Sequence, residues 1–130
     1  MKPEAQLSCA VREAVELYHL RDRCICFKIQ NDLTPGAKTR LPMPAYIAML
    51  KRQGFEPGVA DWVFIWVPVM EELYGGLVFK VGFIELKIAK NKQSEGQVLF
   101  QDWCQKVGPD YRVARSIDNV IQIWQEWRLI

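Results

Sequence analysis

The sequence predicts a single domain of the α/β class, and three observations support this prediction. The chain has 130 residues, which is close to the size of one domain and enough to bury one hydrophobic core. Half of the residues are apolar and a quarter are charged, a composition that excludes disordered and low-complexity chains. Apolar side chains recur at helical spacing in some segments and form short β-branched and aromatic runs in others. Because there is no internal repeat or linker, residues 1–130 are interpreted as one domain.

The first half of the chain predicts a helix, a strand, a loop and a second helix. Residues 4–22 repeat apolar side chains at helical spacing, and residues 24–29 are a short β-branched and aromatic run that predicts a strand. Residues 30–44 contain three prolines together with asparagine, aspartate and glycine, which predicts a loop. Residues 46–53 predict a short helix that ends at Gly54.

The middle of the chain carries the clearest hairpin pattern. Residues 62–69 and 77–87 are rich in Val, Ile, Phe and Trp, as β-strands commonly are. The pair Gly75 and Gly76 between these two runs predicts the turn that joins them. A hairpin of this kind brings its two open ends together, so residues that flank the pair are expected to be neighbours.

A helix, a strand and a last helix are predicted after the hairpin. Residues 94–97 resemble a capping box, which predicts the start of a helix that stops at Gly108. Alternation over residues 111–115 predicts a short strand, and residues 117–127 place their apolar side chains on one helical face. The expected order is therefore α-β-(α)-β-β-α-β-α.

No membrane span or secretion signal is found, which predicts a cytoplasmic protein. The longest apolar stretch, residues 62–70, is much shorter than the ~20 residues that a span requires. Four cysteines without a CxxC pair and a single histidine argue against a zinc site. Cys24 and Cys26 alternate in the predicted first strand and are interpreted as reduced thiols of the core.

The net charge of +2 is unevenly distributed along the chain. Residues 21–52 contain seven basic and two acidic side chains, a local charge of +5. A second basic group contains Lys80, Lys87, Lys90 and Lys92. Local basic regions suit a polyanionic partner such as nucleic acid, although an ordinary solvated surface has the same composition.

Two carboxylates and a lysine are expected to meet at the open end of the hairpin. Asp61 comes just before its first strand, and Glu85 and Lys87 share one face near the end of its second, with Leu86 turned into the core. Carboxylates at strand ends, outside the core, form a site for a hard divalent cation such as Mg²⁺. The alternative is an ordinary exposed pair of Glu85 and Lys87 with Asp61 as a turn residue.

Several motifs together resemble those of a known nuclease family. They are Gly58-x-x-Asp61, Ile84-Glu85-Leu86-Lys87, Ser94-x-x-Gln97-x-x-Phe100, Gly108 and Tyr111-x-Val-x-Arg115-x-x-Asp118. The combination is similar to the virus-type replication-repair nuclease (VRR-NUC) domain of the PD-(D/E)xK superfamily, in its stand-alone phage form, which is similar to Holliday-junction resolvases. The resemblance covers nearly the whole chain and implies a restriction-endonuclease-like core, a mixed central sheet flanked by helices. It also implies the interior of a phage-infected or bacterial cell.

The resemblance implies roles for individual site residues. Asp61 and Glu85 match the metal-binding acids, and the main-chain carbonyl of Leu86 matches the third protein ligand. Lys87 matches the catalytic lysine, and Gln97 matches a glutamine that helps to order the site. The implied metal is Mg²⁺ or Mn²⁺.

A further glutamate on the first helix belongs to the same implied site. Glu4 is the best match because the family pattern there is a glutamate shortly followed by glutamine and an apolar residue. Glu13 and Glu16 are rivals, and each of the three glutamates could instead be solvated helix surface.

Contacts with DNA are expected in two regions of the chain. Asn31 resembles the asparagine that ends the family's strand in Pro-Asn, although Gln30 stands in place of that proline. Lys38 and Arg40 in the predicted loop, and Lys90 and Lys92 after the hairpin, are candidate contacts with the DNA backbone. Ordinary solvated surface is the alternative for the loop residues.

These observations lead to a functional hypothesis and an alternative. The hypothesis is a metal-dependent, structure-selective endonuclease that hydrolyses phosphodiester bonds in branched DNA such as four-way junctions. The alternative is a DNA-binding or scaffold module of a replication-repair complex that has weak or no catalytic activity. The intact set of Asp61, Glu85 and Lys87 argues for the enzyme.

A homodimer is expected because one catalytic centre cuts one strand, whereas resolving a junction needs two symmetric cuts. The hairpin aromatics offer a possible dimer surface; these are Trp62, Phe64, Trp66, Phe79 and Phe83. The alternative is that the first and last helices cover both faces of the sheet and that the protein is a monomer.

Overall fold

A computed structural model describes residues 2–29, 42–53, 58–68 and 78–130. It shows a mixed α/β fold in which helices flank a four-stranded mixed sheet. No helix in these ranges is long and apolar enough to cross a membrane. Several predictions fall on residues outside these ranges: Asn31, Lys38, Arg40, most of the loop over residues 30–44, the helix end at Gly54 and the turn at Gly75 and Gly76.

The predicted order of helices and strands is confirmed for the described residues. The elements are α1 (Pro3–Leu17), a 3₁₀ turn (Leu20–Asp22), β1 (Cys24–Lys28), α2 (Met43–Arg52), β2 (Trp62–Trp66), β3 (Lys80–Leu86), α3 (Glu95–Val107), β4 (Asp110–Ala114) and α4 (Ile117–Glu126). The first helix is shorter than the predicted 4–22 because His19 adopts a left-handed backbone conformation, with φ of 54°. A residue of that conformation ends an α-helix.

The sheet has the strand order β1-β2-β3-β4. β2 pairs antiparallel with both β1 and β3, while β4 runs parallel to β3 after the crossover through α3. Trp62 pairs with Lys28 on one side and with Ile84 on the other. The start of β2, the end of β1 and the end of β3 therefore lie together at one end of the sheet.

The main core lies between one face of the sheet and helices α1 and α4. Trp62, Phe64 and Trp66 of β2 are all buried in it, and Phe64 meets Trp124 of α4 edge to face at 5.8 Å. The suggestion that these three aromatics form a dimer surface is therefore wrong. β2 is a central strand whose aromatic side chains are covered by the protein's own helices.

The two other hairpin aromatics have different environments. Phe83 is half-buried and contacts Phe100 of α3, with ring centroids 5.1 Å apart, whereas Phe79 is exposed. Phe83 belongs to a smaller second core on the other face of the sheet, beneath α3, around the buried Ala60, Cys104 and Tyr111. The sheet is thus covered on both faces over β2 and β3.

Gly82 allows a tryptophan to pack directly on the sheet. A Cβ atom at this position would lie 2.4 Å from the Trp127 ring. Trp127 stacks on Trp66 with ring centroids 5.0 Å apart, and its Nε1 donates to Asp110 Oδ2 at 2.6 Å. The lack of a side chain at Gly82 therefore leaves space for the Trp127 ring, which packs the end of α4 against β3.

Cys24 and Cys26 have the environment that was predicted for core thiols. Cys24 and Cys26 are buried on the same face of β1, and Cys104 is buried in the second core. Cys9 is exposed on α1, and none of the four forms a disulfide.

Candidate metal centre

Three acidic side chains from three separate elements meet at one end of the sheet. Glu4 in the first turn of α1, Asp61 just before β2 and Glu85 on β3 each offer a carboxylate oxygen, and these oxygens lie within 4.8 Å of one another. We call this cluster the carboxylate triad. Of the three glutamates considered on α1, the structure brings only Glu4 to the triad; Glu16 pairs instead with arginines, and Glu13 is exposed.

Backbone hydrogen bonds fix Asp61 between its two neighbouring strands. The Leu86 N–H donates to Asp61 Oδ2 at 2.7 Å, so the end of β3 orients this carboxylate. The Ile29 N–H donates to the Asp61 carbonyl oxygen at 2.7 Å and ties the same residue to the end of β1. Asp61 is thereby held in place by the main chain on both sides.

Glu85 is buried, with 1% of its surface exposed, and this corrects the expectation of a carboxylate outside the core. Strand alternation correctly directs Glu85 to the face opposite Leu86, but the first turn of α3 covers that face. Glu85 Oε1 accepts a hydrogen bond from Gln97 Nε2 at 2.7 Å and lies 4.0 Å from Lys87 Nζ. Its other oxygen, Oε2, is buried and has no hydrogen-bond donor among the described residues.

The surroundings of Glu85 disfavour its ionised form. Burial, and after it the negative charge of Asp61, raise the pKa of the Glu85 carboxyl group to about 8, and the charge of Lys87 only partly opposes this. At neutral pH the group therefore holds a proton unless a cation replaces it. A divalent cation bound between the three carboxylates would stabilise the ionised form and give Oε2 a partner.

Gln97 performs two tasks with the two ends of one amide. The side-chain Oε1 of Gln97 accepts a hydrogen bond from the Ser94 N–H at 2.8 Å. The main-chain N–H of Gln97 donates to Ser94 Oγ, which completes the predicted capping box of α3. Because the oxygen end is engaged at the cap, the NH₂ end faces Glu85. Helix capping thus aims a donor at a metal-binding candidate.

Gly58 explains the glycine of the motif that ends in Asp61. Its φ of +92° is in the left-handed region that favours glycine, and a Cβ atom there would lie 2.3 Å from the Gly96 carbonyl carbon. The segment that leads into β2 therefore packs directly against the first turn of α3. This contact sets the distance between Asp61 and Gln97.

The loop after β3 carries the predicted basic residues, and Lys87 lies beside the triad. Lys87 is partly buried, and its N–H donates to the Ala114 carbonyl oxygen at 2.9 Å, while Lys90 and Lys92 are exposed. The loop is pinned by Arg115, whose Nη1 donates to the carbonyl oxygens of residues 89 and 91 at 2.8 and 2.9 Å. No role was predicted for Arg115 from the sequence, although Arg115 belongs to the motif that begins at Tyr111.

The donor set at this site fits a hard divalent cation. It offers three carboxylates, and the buried Glu85 Oε2 has no other partner in the described part of the chain. Oxygen donors of this kind suit Mg²⁺ or Mn²⁺. The triad contains neither a cysteine nor a histidine, the usual ligands of a zinc site.

Comparisons with known proteins leave the site without a named relative. No protein-family model matches the chain, and neither the curated proteins nor the solved structures contain a significant match. A functional assignment therefore depends on the geometry of the carboxylate triad and on the motifs in the sequence.

Proposed function

We propose that this protein is a Mg²⁺- or Mn²⁺-dependent DNA endonuclease of the VRR-NUC type, with a restriction-endonuclease-like core. The observation that carries the proposal is the carboxylate triad. Within the described residues, the buried Glu85 of this triad lacks a donor for one oxygen and has a lysine 4.0 Å from the other. The four-stranded mixed sheet flanked by helices is compatible with such a core.

Each residue of the site has a definite task in this proposal. Asp61, Glu85 and Glu4 hold the cation together with the Leu86 carbonyl, and Gln97 keeps Glu85 in its orientation. When bound, the cation would supply positive charge at the scissile phosphate and would make the attacking water more acidic. Lys87 orients that water or stabilises the charge that develops on the phosphate.

The choice of DNA as substrate is supported by charge beside the site and by the sequence motifs. Lys90 and Lys92 are exposed on the loop that follows Lys87, where they can contact a phosphate backbone. The preference for branched DNA, such as a four-way junction, follows from the resemblance to resolvases.

The experiment is a cleavage assay on labelled four-way, flap and linear DNA with Mg²⁺, Mn²⁺ or excess chelator. Asp61→Asn and Glu85→Gln should abolish cleavage and keep the fold, because each replaces a charged ligand by an amide of the same shape. The amide oxygen that Asp61→Asn introduces can still accept the hydrogen bond from the Leu86 N–H. Glu4→Gln removes the third carboxylate of the triad and should also reduce cleavage. Glu13→Gln, the same change at an exposed position of α1, is its matched control.

Lys87→Ala separates catalysis from metal binding. Turnover should fall strongly while calorimetry still detects the metal, because Lys87 is not a metal ligand in this proposal. Cleavage by the wild-type protein in chelator would contradict the assignment. Binding of metal and DNA without cleavage would favour the alternative of an inactive DNA-binding or scaffold module.

A further inference from the structure

A groove of about 480 Å³ lies between α1 and β1. We call it the α1–β1 groove. One face of α1 lines this groove through Ser8, Cys9 and Arg12. Arg21 of the 3₁₀ turn and Lys28 at the end of β1 add two further cations to the lining. None of these side chains has a task in the proposed metal centre.

Strand alternation decides which side chains of β1 enter the groove. Cys26 faces the core beneath α1, so alternation directs Lys28 to the same face and Phe27 to the other. Lys28 pairs with Trp62 of β2, and the Trp62 Nε1 donates to Ser8 Oγ at 3.4 Å. Lys28 therefore lies on the α1 side of the sheet, whereas the Phe27 ring lies on the opposite side and has no part in the groove.

The groove begins at the metal centre. Ser8 lies one helical turn after Glu4 on α1, and the N–H of the residue after Lys28 donates to the Asp61 carbonyl oxygen at 2.7 Å. From Glu4 to Arg12, the helix rises about 12 Å. One strand of DNA advances about 3.4 Å per nucleotide, so a strand with a phosphate at the triad reaches Arg12 within about four nucleotides.

The groove has an excess of positive charge. Arg12 Nε and Arg21 Nε lie 3.5 and 3.3 Å from the same oxygen of Glu16, so one carboxylate holds two guanidinium groups together. With Lys28 there are three positive charges and one negative charge, a net charge of +2. Among the described residues that line the groove there is no carboxylate.

A phosphodiester backbone satisfies this arrangement better than a single small anion does. All three cations are exposed and are spread along the groove, and a backbone presents phosphates at regular intervals. Each guanidinium has five N–H donors, and phosphate oxygens can accept two of them side by side. An isolated exposed ion pair would be ordinary surface, but this group shares one carboxylate and leads to a candidate site for phosphodiester hydrolysis.

We infer that the α1–β1 groove binds the phosphodiester backbone beside the scissile phosphate, with Arg12, Arg21 and Lys28 as its phosphate contacts. The inference rests on the proposed function for the identity of the polymer as DNA. It adds the path of the substrate strand, which leaves the metal centre along α1. The groove contributes affinity and register and does not read the base sequence.

The first test measures binding in excess chelator, where the proposed function expects no cleavage. Fluorescence anisotropy follows a labelled blunt duplex over a range of salt concentrations. Arg21→Gln/Lys28→Gln removes two charges and keeps long polar side chains, so the log–log salt slope should fall by about 1.8, since each phosphate contact contributes about 0.9. Lys80→Gln/Lys106→Gln makes the same change of charge at exposed positions outside the groove and should leave the slope near the wild-type value.

The second test separates phosphate contacts from base contacts. Arg21→Gln/Lys28→Gln should lose affinity equally for duplexes of unrelated sequence, because phosphates carry no sequence information. A single strand should also lose slope, by about 1.4, since each contact contributes about 0.7 on single-stranded DNA. A loss that is confined to one base sequence would contradict the inference.

The third test locates the groove relative to the cut. In the strand that the wild-type protein cleaves, single phosphates are replaced by uncharged methylphosphonates. Replacement within about four nucleotides of the cut, on one side, should weaken binding by the wild type and should not weaken Arg21→Gln/Lys28→Gln any further. Equal losses in the two proteins at every position would place these contacts elsewhere on the DNA.

Cys9 allows the groove to be blocked chemically. It lines the groove and is exposed, whereas the other three cysteines are buried. N-ethylmaleimide adds a bulky uncharged group to this thiol and should weaken duplex binding at least about fivefold. Cys9→Ser, treated in the same way, should bind as the untreated wild type does. Unchanged binding by the wild type with one adduct at Cys9, verified by mass spectrometry, would contradict the inference.

The outcomes for the groove and for the nuclease can be distinguished. If the salt slope falls as expected but the wild-type protein never cleaves with metal, the groove stands as a backbone site and the nuclease assignment fails. If the protein cleaves with metal but Arg21→Gln/Lys28→Gln keeps the wild-type slope, the nuclease assignment stands and the groove assignment fails. A wild-type protein that binds no DNA would overturn the inference as well.

Discussion

At the scale of single residues, Glu85 occupies a position that costs stability in the absence of a cation. It is buried, it faces the carboxylates of Asp61 and Glu4, and its Oε2 has no donor among the residues that the structure describes. A buried ionised group needs a partner of opposite charge, and Lys87 at 4.0 Å supplies only part of this compensation. In the proposed function this cost is expected, because the same features that destabilise the site without a cation would favour the binding of one.

The pH dependence of stability should show this cost. The folded-state pKa of Glu85, about 8, lies above the ordinary value of 4.5, so the folded protein holds a proton that the unfolded chain has lost between these pH values. The free energy of unfolding of the metal-free protein should therefore fall as the pH rises across that window, by roughly 1 kcal/mol per pH unit from this group. Glu85→Gln should remove this slope, as measured by urea unfolding from pH 5 to 9 in chelator.

Metal should have its largest effect on the wild-type protein at the alkaline end of this range. Binding displaces the Glu85 proton, so Mg²⁺ or Mn²⁺ should stabilise the protein more at pH 8 than at pH 6. Glu85→Gln should be more stable than the wild type at pH 9 without metal and should gain little from its addition. Parallel pH profiles for the two proteins would show that Glu85 does not titrate as described.

At the scale of elements, the first turn of α3 organises the site. Ser94 and Gln97 cap the helix, Gln97 also orients Glu85, and Gly96 contacts Gly58 ahead of Asp61. The helix N-terminus and the two strand ends are therefore fixed relative to one another by direct contacts. Substitutions in this turn can separate helix stability from site geometry.

Ser94→Ala and Gln97→Ala should differ in their effect on activity. Each removes part of the capping box and should cost about 1 kcal/mol of stability. Ser94→Ala leaves the main-chain N–H of residue 94 and the Gln97 bond to Glu85, so cleavage should stay near the wild-type rate. Gln97→Ala removes the donor to Glu85 and should require a higher metal concentration for half-maximal rate. Equal metal requirements in the two variants would leave Gln97 with a capping role alone.

Gly58→Ala tests the contact between the Asp61 segment and α3. The added Cβ atom would lie 2.3 Å from the Gly96 carbonyl carbon at a φ of +92°, so the two elements must move apart. We expect a loss of at least about 2 kcal/mol and of most activity. Gly108→Ala is a matched control, because Gly108 also has a positive φ, +125°, but a Cβ atom there meets no described residue within 4 Å. Similar losses in both variants would attribute the effect to backbone strain and not to the contact.

At the scale of the whole molecule, the sequence predicts the order of elements better than their environment. Local patterns such as the Ser94 capping box and the hairpin strands depend on near neighbours, and both are confirmed. The burial of Glu85 depends on α3, which packs over it, and could not be read from strand alternation. The preference for Glu4 over Glu13 rested on the family pattern, whereas the position of α1 over the sheet, a tertiary property, is what brings Glu4 to the triad.

A homodimer remains a prediction, but its interface is expected on a different surface from the one that the sequence suggested. Trp62, Phe64 and Trp66 are buried, so a dimer must form elsewhere. The outer face of α3 exposes three apolar side chains at intervals of four residues, and a stripe of this kind on a soluble helix is typical of an interface; they are Leu99, Trp103 and Val107. Two catalytic centres fixed by a two-fold axis would still account for paired cuts in a four-way junction.

We therefore expect light scattering after size exclusion to give twice the chain mass of 15.1 kDa at micromolar concentration. Trp103→Glu should produce a monomer, because a charge at the centre of the apolar stripe cannot be buried without a partner. Leu17→Glu, a similar change at an equally exposed apolar residue of α1, should leave the dimer intact. The monomeric variant should still nick one strand, since the carboxylate triad belongs to a single chain, but it should lose paired cuts. A wild-type monomer that cuts both strands symmetrically would contradict the dimer and the reasoning from junction symmetry.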